Sequence, residues 1–591
     1  MCGIAGIISP NSKHHKNTIK SMVSTLYHRG PDSNGFKISD SFAFGHARLS
    51  IVDLETGEQP MSLPDKSNTI TFNGEIYGYK DIRNTLKNSF QFRTKSDTEV
   101  ILALYQKYGM DFLQHLPGIF AFGLYDAKKK QLICARDRFG EKPLFYARGK
   151  NGEFIFASEI KAILASKLVK PEIDHNALNH YLKKLYIHPT DTIYKNIHTL
   201  PPAHYLVFKN NKIKTQRYWE LPRVKTSADW KETLFQTQNL FEQAVKRQIV
   251  ADVPVSAFLS GGIDSTAVVY YAKKHNPDLK TFSFGFGEYI NEVPLAQKTA
   301  KQFETNHTNL HAEDFNIKDL ILKMGQVYDE PLADSSTIPS YLISREAAKH
   351  GKVVLTGDGG DELLAGYAAI YSNLLFFDRD NGITTYLKRQ IKEFLKHHRF
   401  QSVFKLHQKQ NNYFNDLQTA QMTGVNSKEY QYHFKHNGTL SDALNTDLLD
   451  FMPGDILVKT DRASMANSLE LRAPFLDVDF ASYCISIPAK YKLNPKNNNT
   501  KWFFKEALKE TFPLHVLNQK KQGFQSPINA WLKMPEIQKL FKDYVFNKDN
   551  EVYNLIDYSS TMQNFQGTDI QSWILLTLSI WYNENFLSFD E

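Results

Sequence analysis

Apolar runs of strand length dominate the first third of the chain and alternate with short polar turns. Four such runs follow one another between residues 116 and 158, a spacing that is typical of a hairpin-rich sheet. Two more predicted strands precede a polar segment at 221–229, where we place a domain boundary. The six predicted strands are 118–125, 131–135, 144–146, 154–157, 205–208 and 214–219.

Beyond this boundary the pattern changes, because strand-type runs at 253–258, 281–286 and 353–356 alternate with helix-type runs. Such alternation predicts right-handed βαβ units and a parallel sheet covered by helices. Ligands bind sheets of this kind at the carboxyl ends of the strands. We therefore expect an α+β domain followed by an α/β domain with a doubly wound parallel sheet.

The length and composition support two folded domains. A chain of 591 residues exceeds the size at which a single core keeps growing. Hydrophobic residues make up 42% of the chain and charged residues 23%, which are globular values and exclude a largely disordered protein. The net charge of +8 arises from 71 basic and 63 acidic residues, too small an excess to predict a nucleic-acid partner.

Cysteine usage and apolar run lengths bear on the location of the protein. Cys2, Cys134 and Cys484 are too few and too scattered for a disulfide framework or a metal site, which favours a reducing cytoplasm. We expect no export signal, because the N-terminus lacks a basic region followed by an apolar one. We expect no membrane partner, because the longest late apolar run, 573–582, is about half a membrane span. The basic segment 386–400 has apolar residues at helical spacing and predicts an amphipathic helix that faces the core.

A Ser/Gly turn, Leu259-Ser-Gly-Gly-Ile-Asp-Ser265, joins the predicted strand at 253–258 to a helix-type run. Its glycines allow backbone N–H groups to point at an anion, and the helix start adds unpaired N–H donors and a positive dipole end. The lysine of a Walker A loop is absent. We interpret the turn as a nucleotide phosphate cradle in which Asp264 holds Mg²⁺. The alternative is an ordinary glycine turn that opens a helix.

A second glycine-rich turn, Leu355-Thr-Gly-Asp-Gly-Gly-Asp-Glu362, follows the third strand of the predicted parallel sheet. We expect it to face the first turn across the strand ends. Its carboxylates would repel phosphates unless Mg²⁺ lay between them, so Asp264 and Asp361 are a predicted metal pair. A solvated acidic turn is the alternative.

Cys2 is the candidate nucleophile of the N-terminal domain. Removal of Met1 would leave Cys2 with a thiol and a free α-amine, and the amine titrates near pH 8, so that it can accept the thiol proton. The alternative is a small hydrophobic residue at the start of a strand.

Short polar islands between the apolar runs supply further candidates. An arginine, an asparagine, a glutamate and an aspartate occur there as Arg48, Asn73, Glu75 and Asp97. Glutamine recognition needs these types: a guanidinium for its α-carboxylate, acids for its α-ammonium, and donors for the oxyanion formed when a thiolate attacks its side-chain amide.

Several motifs resemble known families. Met1-Cys-Gly-Ile, His28-Arg-Gly-Pro-Asp, Arg48-Leu-Ser-Ile and Asn73-Gly-Glu-Ile-Tyr resemble a class II glutamine amidotransferase domain. The Ser-Gly-Gly-x-Asp-Ser turn resembles the pyrophosphate loop of N-type ATP pyrophosphatases. Three later stretches extend the resemblance over the whole chain, to the glutamine-hydrolysing asparagine synthetase family: 455–465, 470–477 and 520–524.

The resemblance implies a fold for each domain. Residues 2–215 would form an αββα sandwich of the N-terminal-nucleophile hydrolase type. Residues 230–591 would form an ATP pyrophosphatase domain with a doubly wound parallel sheet and additional helices. A homodimer is compatible with the resemblance, and the sequence does not decide the oligomeric state.

The resemblance also implies roles for individual residues. Cys2 would be the nucleophile, and Asn73 with Gly74 would form the oxyanion hole. Asp358 would act in adenylate formation, and Lys521 would stabilise the acyl-adenylate. Glutamine would be held by Arg48, Leu49, Ser50, Ile51, Val52, Asn73, Gly74, Glu75 and Asp97. ATP would be held by Leu259, Ser260, Gly261, Gly262, Asp264, Ser265, Phe284, Thr356 and Gly357, with Mg²⁺ on Asp264 and Asp361.

The implied activity is that of an enzyme with two sites. Glutamine would be hydrolysed to glutamate and ammonia through a Cys2 thioester, while MgATP would activate aspartate as an acyl-adenylate and release pyrophosphate. Ammonia would pass through an internal tunnel and attack the adenylate, giving asparagine. Two other classes stay open: a glutaminase with an inactive synthetase scaffold, and a non-catalytic binding or assembly protein.

The second turn departs from the best-known members of the family. Asp358 stands where they have glutamate, and Gly360 stands where they have serine. The shorter acid and the lost hydroxyl predict a roomier pocket near the activated carboxylate. An acceptor other than aspartate, such as a cell-wall or surface-glycan precursor, is therefore the alternative.

Overall fold

The structure, a computed structural model, describes residues 1–590 with a few gaps. Undescribed residues are 226, 287–289, 312–314, 376–386, 389–390, 392–402, 410–411, 433–438, 495, 498 and 520–525. Two antiparallel sheets lie in the first part of the chain and one parallel sheet in the second.

Two six-stranded sheets form the N-terminal domain, and every strand pair in them is antiparallel. The strand orders are β10-β8-β9-β1-β3-β2 and β12-β11-β7-β6-β5-β4. The bounds are β1 Gly3–Ile8, β2 Ser33–Ile38, β3 Phe42–Arg48, β4 Met61–Ser62, β5 Asn68–Ile76, β6 Gly118–Asp126, β7 Gln131–Arg136, β8 Phe145–Arg148, β9 Phe154–Ala157, β10 Ile197–Thr199, β11 His204–Lys209 and β12 Lys212–Arg217.

The two sheets pack face to face through aromatic side chains. Phe44 and Phe156 of one sheet share a buried cluster with Leu132 and Leu206 of the other. Helices cover the outer faces: α1 (Lys16–Ser24) packs on β3, and α3 (Asp97–Tyr108) packs on β5. The layers are therefore α, β, β and α, which confirms the predicted hairpin-rich sheet and sandwich.

One mostly parallel sheet forms the centre of the second part of the chain. Its order is β15-β14-β13-β17-β18, with β16 also paired to β14. All pairs except that of β14 with β15 are parallel. The predicted α/β architecture is confirmed. The bounds are β13 Val255–Phe258, β14 Lys280–Phe286, β15 Ile290–Asn291, β16 Asn306–His311, β17 Val353–Leu355 and β18 Glu470–Arg472.

Helices make up most of the remaining described chain. In the N-terminal domain they are α1, α2 (Tyr79–Leu86), α3, α4 (Ile160–Leu164) and α5 (His175–Lys184). Around the parallel sheet lie α6 Trp230–Gln248, α7 Ile263–His275, α8 Val293–Gln302, α9 Ile317–Val327, α10 Thr337–Ala348, α11 Gly360–Leu364, α12 Ala368–Leu375, α13 Val403–Lys409, α14 Asp416–Thr423, α15 Leu440–Leu449, α16 Leu457–Met465, α17 Val478–Ser486, α18 Ala489–Lys492, α19 Trp502–Leu508, α20 Leu514–Leu517, α21 Ile528–Trp531, α22 Pro535–Phe541, α23 Tyr558–Asn564, α24 Asp569–Trp581 and α25 Leu587–Asp590.

Two sequence expectations concern apolar segments of the second part. The run at 573–582 belongs mostly to α24, whose Trp573 and Trp581 are buried in the core. Within the described part of the chain, no helix is long and apolar enough to cross a membrane. Most of the basic segment 386–400 lies outside the described residues, and its two described apolar residues, Leu387 and Ile391, are exposed rather than core-facing.

Buried charges connect the two parts of the chain. Arg29 is fully buried, with Nη1 2.7 Å from Glu159 Oε1 and 2.8 Å from Asp461 Oδ2. Its Nη2 lies 2.9 Å from Asp461 Oδ1, so this second pair is bidentate. Burial alone would lower the pKa of Arg29, but Asp461 and Glu159 raise it. The arginine therefore stays charged between one carboxylate from each part.

Removal of the Arg29 charge should destabilise the interface between the two parts. We expect Arg29→Met to lower the free energy of the first unfolding transition by about 3–5 kcal/mol, because two buried carboxylates lose their shared cation. Urea denaturation measures the change. Lys128→Met is the matched control, since Lys128 pairs with Asp65 at the surface. Equal stability of the two variants would contradict the prediction.

Candidate active sites

The candidate nucleophile Cys2 lies immediately before β1 and is buried. Its backbone N–H donates to Asn73 Oδ1 at 2.9 Å, and its Sγ lies 3.8 Å from the carbonyl oxygen of Leu49. Burial raises the pKa of the Cys2 thiol above its ordinary value, although the Met1 ammonium opposes this. A base is therefore needed to form the thiolate.

Met1 is present in the structure, and its ammonium lies 2.8 Å from Glu470 Oε2. Loss of Met1 stays a prediction. It would turn the Cys2 amide nitrogen into an α-amine beside Asn73 Oδ1, the atom that already accepts a hydrogen bond from it.

Asn73 and Gly74 have the properties of an oxyanion hole. Asn73 is fully buried, and its Nδ2 has no hydrogen-bond partner among the described residues. A buried amide donor without a partner is costly unless a ligand uses it. Gly74 has φ +155°, and a Cβ there would lie 2.1 Å from the carbonyl oxygen of Ile119. Only glycine fits at this point, where β5 passes β6.

Arg48 and the segment that follows it form one wall of this site. The Arg48 guanidinium donates to the carbonyl oxygen of Asp53 at 2.6 Å and leaves other N–H groups for a carboxylate. Ser50 N–H donates to Asp32 Oδ2 at 2.7 Å, and the Ile51 carbonyl accepts from the Asp252 N–H at 2.9 Å. Leu49 and Val52, the other two residues of this predicted segment, are buried.

Glu75 and Asp97 are the candidate partners of an α-ammonium group. Asp97, at the start of α3, accepts from the Ile76 N–H at 3.0 Å. Burial raises the pKa of Asp97 to about 6. Burial also raises the pKa of Glu75 well above its ordinary range; Asp97 adds to this shift, and Arg472 opposes it.

Arg472 and Glu470 take part in this site although they come from β18 of the parallel sheet. Arg472 Nη2 lies 3.2 Å from Glu75 Oε2, and its Nε lies 2.6 Å from Glu470 Oε1. No role was predicted for either residue from the sequence. Both lie in a stretch, 470–477, that resembles the family, but nothing in this stretch shows which strand of the other domain they meet.

The first glycine-rich turn folds as a closed loop before α7. Leu259 is buried, and Ser260 Oγ and Ser265 Oγ lie 2.9 Å apart. Ser260 Oγ also accepts from the Gly262 N–H at 3.2 Å. Gly261 has φ +78°, which allows the sharp turn. The loop therefore sits at the carboxyl end of β13 and the N-terminus of α7, the position expected for an anion site.

The second turn lies against the first, because β13 and β17 are neighbouring parallel strands. A Cβ at Gly360 would lie 2.8 Å from Asp264 Cγ, so the two loops touch. Thr356 Oγ1 donates to Asp358 Oδ2 at 2.9 Å. The structure thus brings together the residues predicted for ATP, with Gly357 in the same turn and Phe284 buried on the adjacent strand β14.

Lys501 joins the two predicted metal-binding carboxylates and was missed by the sequence analysis. Its ammonium forms an ion pair with Asp264 and lies 2.7 Å from Asp361 Oδ1. The residue precedes α19, far along the chain from both loops, and no spacing pattern points to it. Lys521 lies outside the described residues, so its role stays a prediction.

The carboxylates of Asp264 and Asp361 fit Mg²⁺. This cation takes oxygen ligands and commonly uses one or two carboxylates together with phosphate oxygens. Among the described residues, no group of three or more His, Cys, Asp or Glu side chains could hold a metal without such help. A bound nucleotide would therefore supply the remaining ligands of the site. The cation would then balance the carboxylate charge that Lys501 balances in this structure.

A small cavity lies between the two sites. It leaves about 20 Å³ for the centre of a water-sized molecule and is bordered by Met1 on the side of Cys2 and by Thr356 and Asp358 of the second turn. Roughly 10–15 Å³ of such space holds one water molecule, so ammonia, which is of similar size, fits.

Comparisons with known proteins agree with this architecture. A family model described as "Glutamine amidotransferase domain" matches residues 1–219, and one described as "Asparagine synthase" matches residues 236–583. Asparagine synthetase [glutamine-hydrolyzing] 1 of Bacillus subtilis is 32% identical over 620 residues, covering 99% of this chain and 97% of its own.

Two further relatives differ in coverage and in name. A putative asparagine synthetase [glutamine-hydrolyzing] 2 of Methanocaldococcus jannaschii is 39% identical over 392 residues, covering 62% of this chain and 76% of its own. Amidase chyE of Penicillium rubens is 28% identical over 641 residues, covering 95% of this chain and 94% of its own.

The sandwich with an N-terminal Cys2, joined to a parallel sheet with a nucleotide loop, defines the class of glutamine-dependent amidotransferases. Within that class, the chain belongs to the glutamine-hydrolysing asparagine synthetase family. It is accordingly an ATP-dependent carbon–nitrogen ligase with glutamine as amido donor.

The Glu75 and Asp97 pair should make glutamine use depend on pH. As the pH falls through about 6, the pair gains a proton and loses attraction for the α-ammonium of glutamine. We expect kcat/KM for glutamine hydrolysis to fall on this acid limb. In Asp97→Asn the limb near pH 6 should be lost, because the carboxyl group that titrates there is absent.

Steady-state glutamate production between pH 5 and 8 measures this limb, in the range where ordinary carboxylates are already charged. Asp126→Asn is a control, since Asp126 is also buried but pairs with Tyr105 at the far end of β6. An unchanged limb in Asp97→Asn would show that another group titrates.

Proposed function

We propose that this chain is a glutamine-dependent asparagine synthetase. It hydrolyses glutamine at Cys2 and uses ATP to adenylate aspartate, and it releases asparagine, glutamate, AMP and pyrophosphate. The observation that carries the proposal is the cavity between Met1 and Asp358, which lies between the two sites. Loss of Met1 would add the space of its side chain to this cavity on the side of Cys2.

The glutaminase step follows from the residues around Cys2. The α-amine exposed by loss of Met1 accepts the thiol proton, and the thiolate attacks the side-chain amide carbon of glutamine. The unpaired Asn73 Nδ2 and the Gly74 N–H donate to the oxyanion, an interaction worth about 10²–10³ in rate. Ammonia leaves with that proton, and water hydrolyses the thioester to glutamate.

Recognition of glutamine uses groups of opposite charge at its two ends. Arg48 faces the α-carboxylate, and Glu75 and Asp97 face the α-ammonium. Arg472 holds Glu75 in place from the other domain. Glutamine occupancy therefore depends on correct docking of the two domains.

In the synthetase domain the chain binds and orients the triphosphate. The loop from Leu259 to Ser265 offers backbone N–H groups and a helix N-terminus to the phosphates. Mg²⁺ on Asp264 and Asp361 would neutralise phosphate charge during adenylation. Asp358, held by Thr356, lies at the mouth of the cavity through which ammonia arrives.

The domain limits and the setting complete the proposal. We place the glutaminase domain at 2–215 and the synthetase domain at 230–591. We further propose a cytoplasmic enzyme, as a homodimer, that works on small molecules and needs neither nucleic acid nor membrane.

A different carboxylate acceptor is the second candidate. Asp358 is shorter than the glutamate of the best-known family members, and Gly360 lacks their hydroxyl. A relative of nearly equal length, 28% identical, carries the name amidase rather than synthetase. A uronic acid or a peptidoglycan carboxylate is therefore a plausible acceptor for the same mechanism.

Paired variants should separate the two chemistries. We expect Cys2→Ala to abolish glutamine-dependent pyrophosphate release but to keep release driven by ammonium chloride. Asp264→Asn should do the reverse, with glutamate still formed and pyrophosphate release reduced by about 10²-fold or more, as expected for loss of a ligand worth several kcal/mol. Pyrophosphate and glutamate are assayed in the same samples.

Each variant is the control for the other, because both must stay folded for one reaction to survive. Glutaminase activity without any pyrophosphate release by the wild-type protein would favour an inactive synthetase scaffold. Absence of both activities would favour a binding or assembly protein.

An acceptor screen should decide the product. We expect aspartate at millimolar concentration to support glutamine-dependent pyrophosphate release, and Asp358→Asn to depress it more than glutamine hydrolysis. Release with a uronic acid or a peptidoglycan precursor, and none with aspartate, would overturn the asparagine assignment. Equal loss of both activities in Asp358→Asn would show that this residue has another role.

A further inference from the structure

The loop between β7 and β8 is held rigidly by two side chains. Asp137 Oδ1 accepts from the N–H groups of Gly140 and Glu141 at 2.7 and 2.9 Å. The Arg136 guanidinium donates to the carbonyl oxygens of Gly140 and Lys142, both at 2.8 Å. The backbone on both sides of Glu141 is thus held in place.

Glu141 is buried, with 8% of its surface exposed, and it borders three cavities. One is the cavity between Met1 and Asp358, and a second is bordered by Tyr77 and Asp477. The third, which leaves about 50 Å³ for the centre of a water-sized molecule, lies between the two domains. Within the described part of the chain, no residue forms an ion pair with the Glu141 carboxyl group.

The surroundings of Glu141 favour a neutral carboxylic acid. Burial raises the pKa of Glu141 well above its ordinary range, and the charges of Asp137, Asp358 and Asp477 add to this shift. Lys142 opposes it without removing it. An uncharged carboxyl group can donate one hydrogen bond and accept others.

Ammonia needs such a partner on its way between the sites. It gives up its hydrogen bonds to water when it enters a closed space, and a polar group there restores them. The same cavity is also lined by apolar residues, among them Leu457, Leu471 and Ala473, and by polar ones, among them Lys142, Thr460 and Ser464. A neutral acid also does not attract ammonium, the form that cannot attack an adenylate.

We propose that Glu141 binds ammonia on its passage from Cys2 to the loop that carries Asp358. Its O–H donates to the ammonia nitrogen and its carbonyl oxygen accepts an N–H, with no net transfer of a proton. The inference rests on the proposed function, since it assigns a residue to the transfer step. Glu141 determines how much of the released ammonia reaches the second site rather than water.

The first test is the ratio of pyrophosphate to glutamate formed with glutamine. Glu141→Leu should lower this ratio by about fivefold, the factor for loss of one ordinary hydrogen bond. Free ammonia should appear in its place. Glutaminase activity and pyrophosphate release driven by ammonium chloride should stay near wild type. Glu141→Gln keeps a hydrogen-bonding group, so its ratio of pyrophosphate to glutamate should lie between those of the wild type and Glu141→Leu. This variant also provides the test if Glu141→Leu does not fold.

Glu153→Gln is the matched control, because Glu153 is a buried glutamate of the same domain bonded within its own turn. An unchanged ratio in both Glu141 variants would overturn the inference. A wild-type protein that transfers no ammonia would instead overturn the proposed function.

A second test does not depend on the acceptor. The infrared spectrum of the wild-type protein should contain a band of a protonated carboxyl group that disappears in Glu141→Gln. This band should shift when ammonium chloride is added and stay fixed when sodium chloride is added. A band that does not respond to ammonium, or its absence, would overturn ammonia binding by Glu141 even if the enzyme is a synthetase.

Discussion

Charge pairing across the domain boundary is the constraint on which this structure depends. Arg472, from the parallel sheet, is fully buried and pairs with Glu75 of the glutaminase domain and with Glu470 beside it. Arg29 is placed in the same way between Glu159 and Asp461. A buried charge that loses a partner costs several kcal/mol, so separation of the two domains would weaken the pairing of both arginines. Docking therefore fixes the geometry of both sites.

The same burial shapes the chemistry. In the proposed glutamine site it raises the pKa of Glu75 and Asp97, which would make their affinity for an ammonium group sensitive to pH. Along the cavities it raises the pKa of Glu141 and favours a neutral acid. In the nucleotide site, by contrast, Lys501 balances the carboxylates of Asp264 and Asp361. Closed surroundings thus raise the pKa of carboxyl groups in one place and hold paired charges in another.

The sequence predicted local features better than contacts between distant residues. The strands and the Ser/Gly turn before α7 depend on the pattern of apolar and polar residues that are neighbours in the sequence. The structure places them within a few positions of the prediction. Sequence motifs also placed Cys2 near Asn73. Lys501, Arg472 and Glu141 were not found as site residues, because their importance comes from side chains hundreds of positions away or from cavities that only packing creates.

Strand β18 limits how the two domains can be exchanged during evolution. Its Arg472 side chain meets Glu75, while its carbonyl oxygen accepts from the Thr356 N–H at 2.8 Å, two residues before Asp358. One residue is therefore shared by the two sites. The two domains are separate in sequence but not interchangeable: a glutaminase domain taken from a relative would have to present a carboxylate to Arg472, or this buried guanidinium would lose its partner in the other domain.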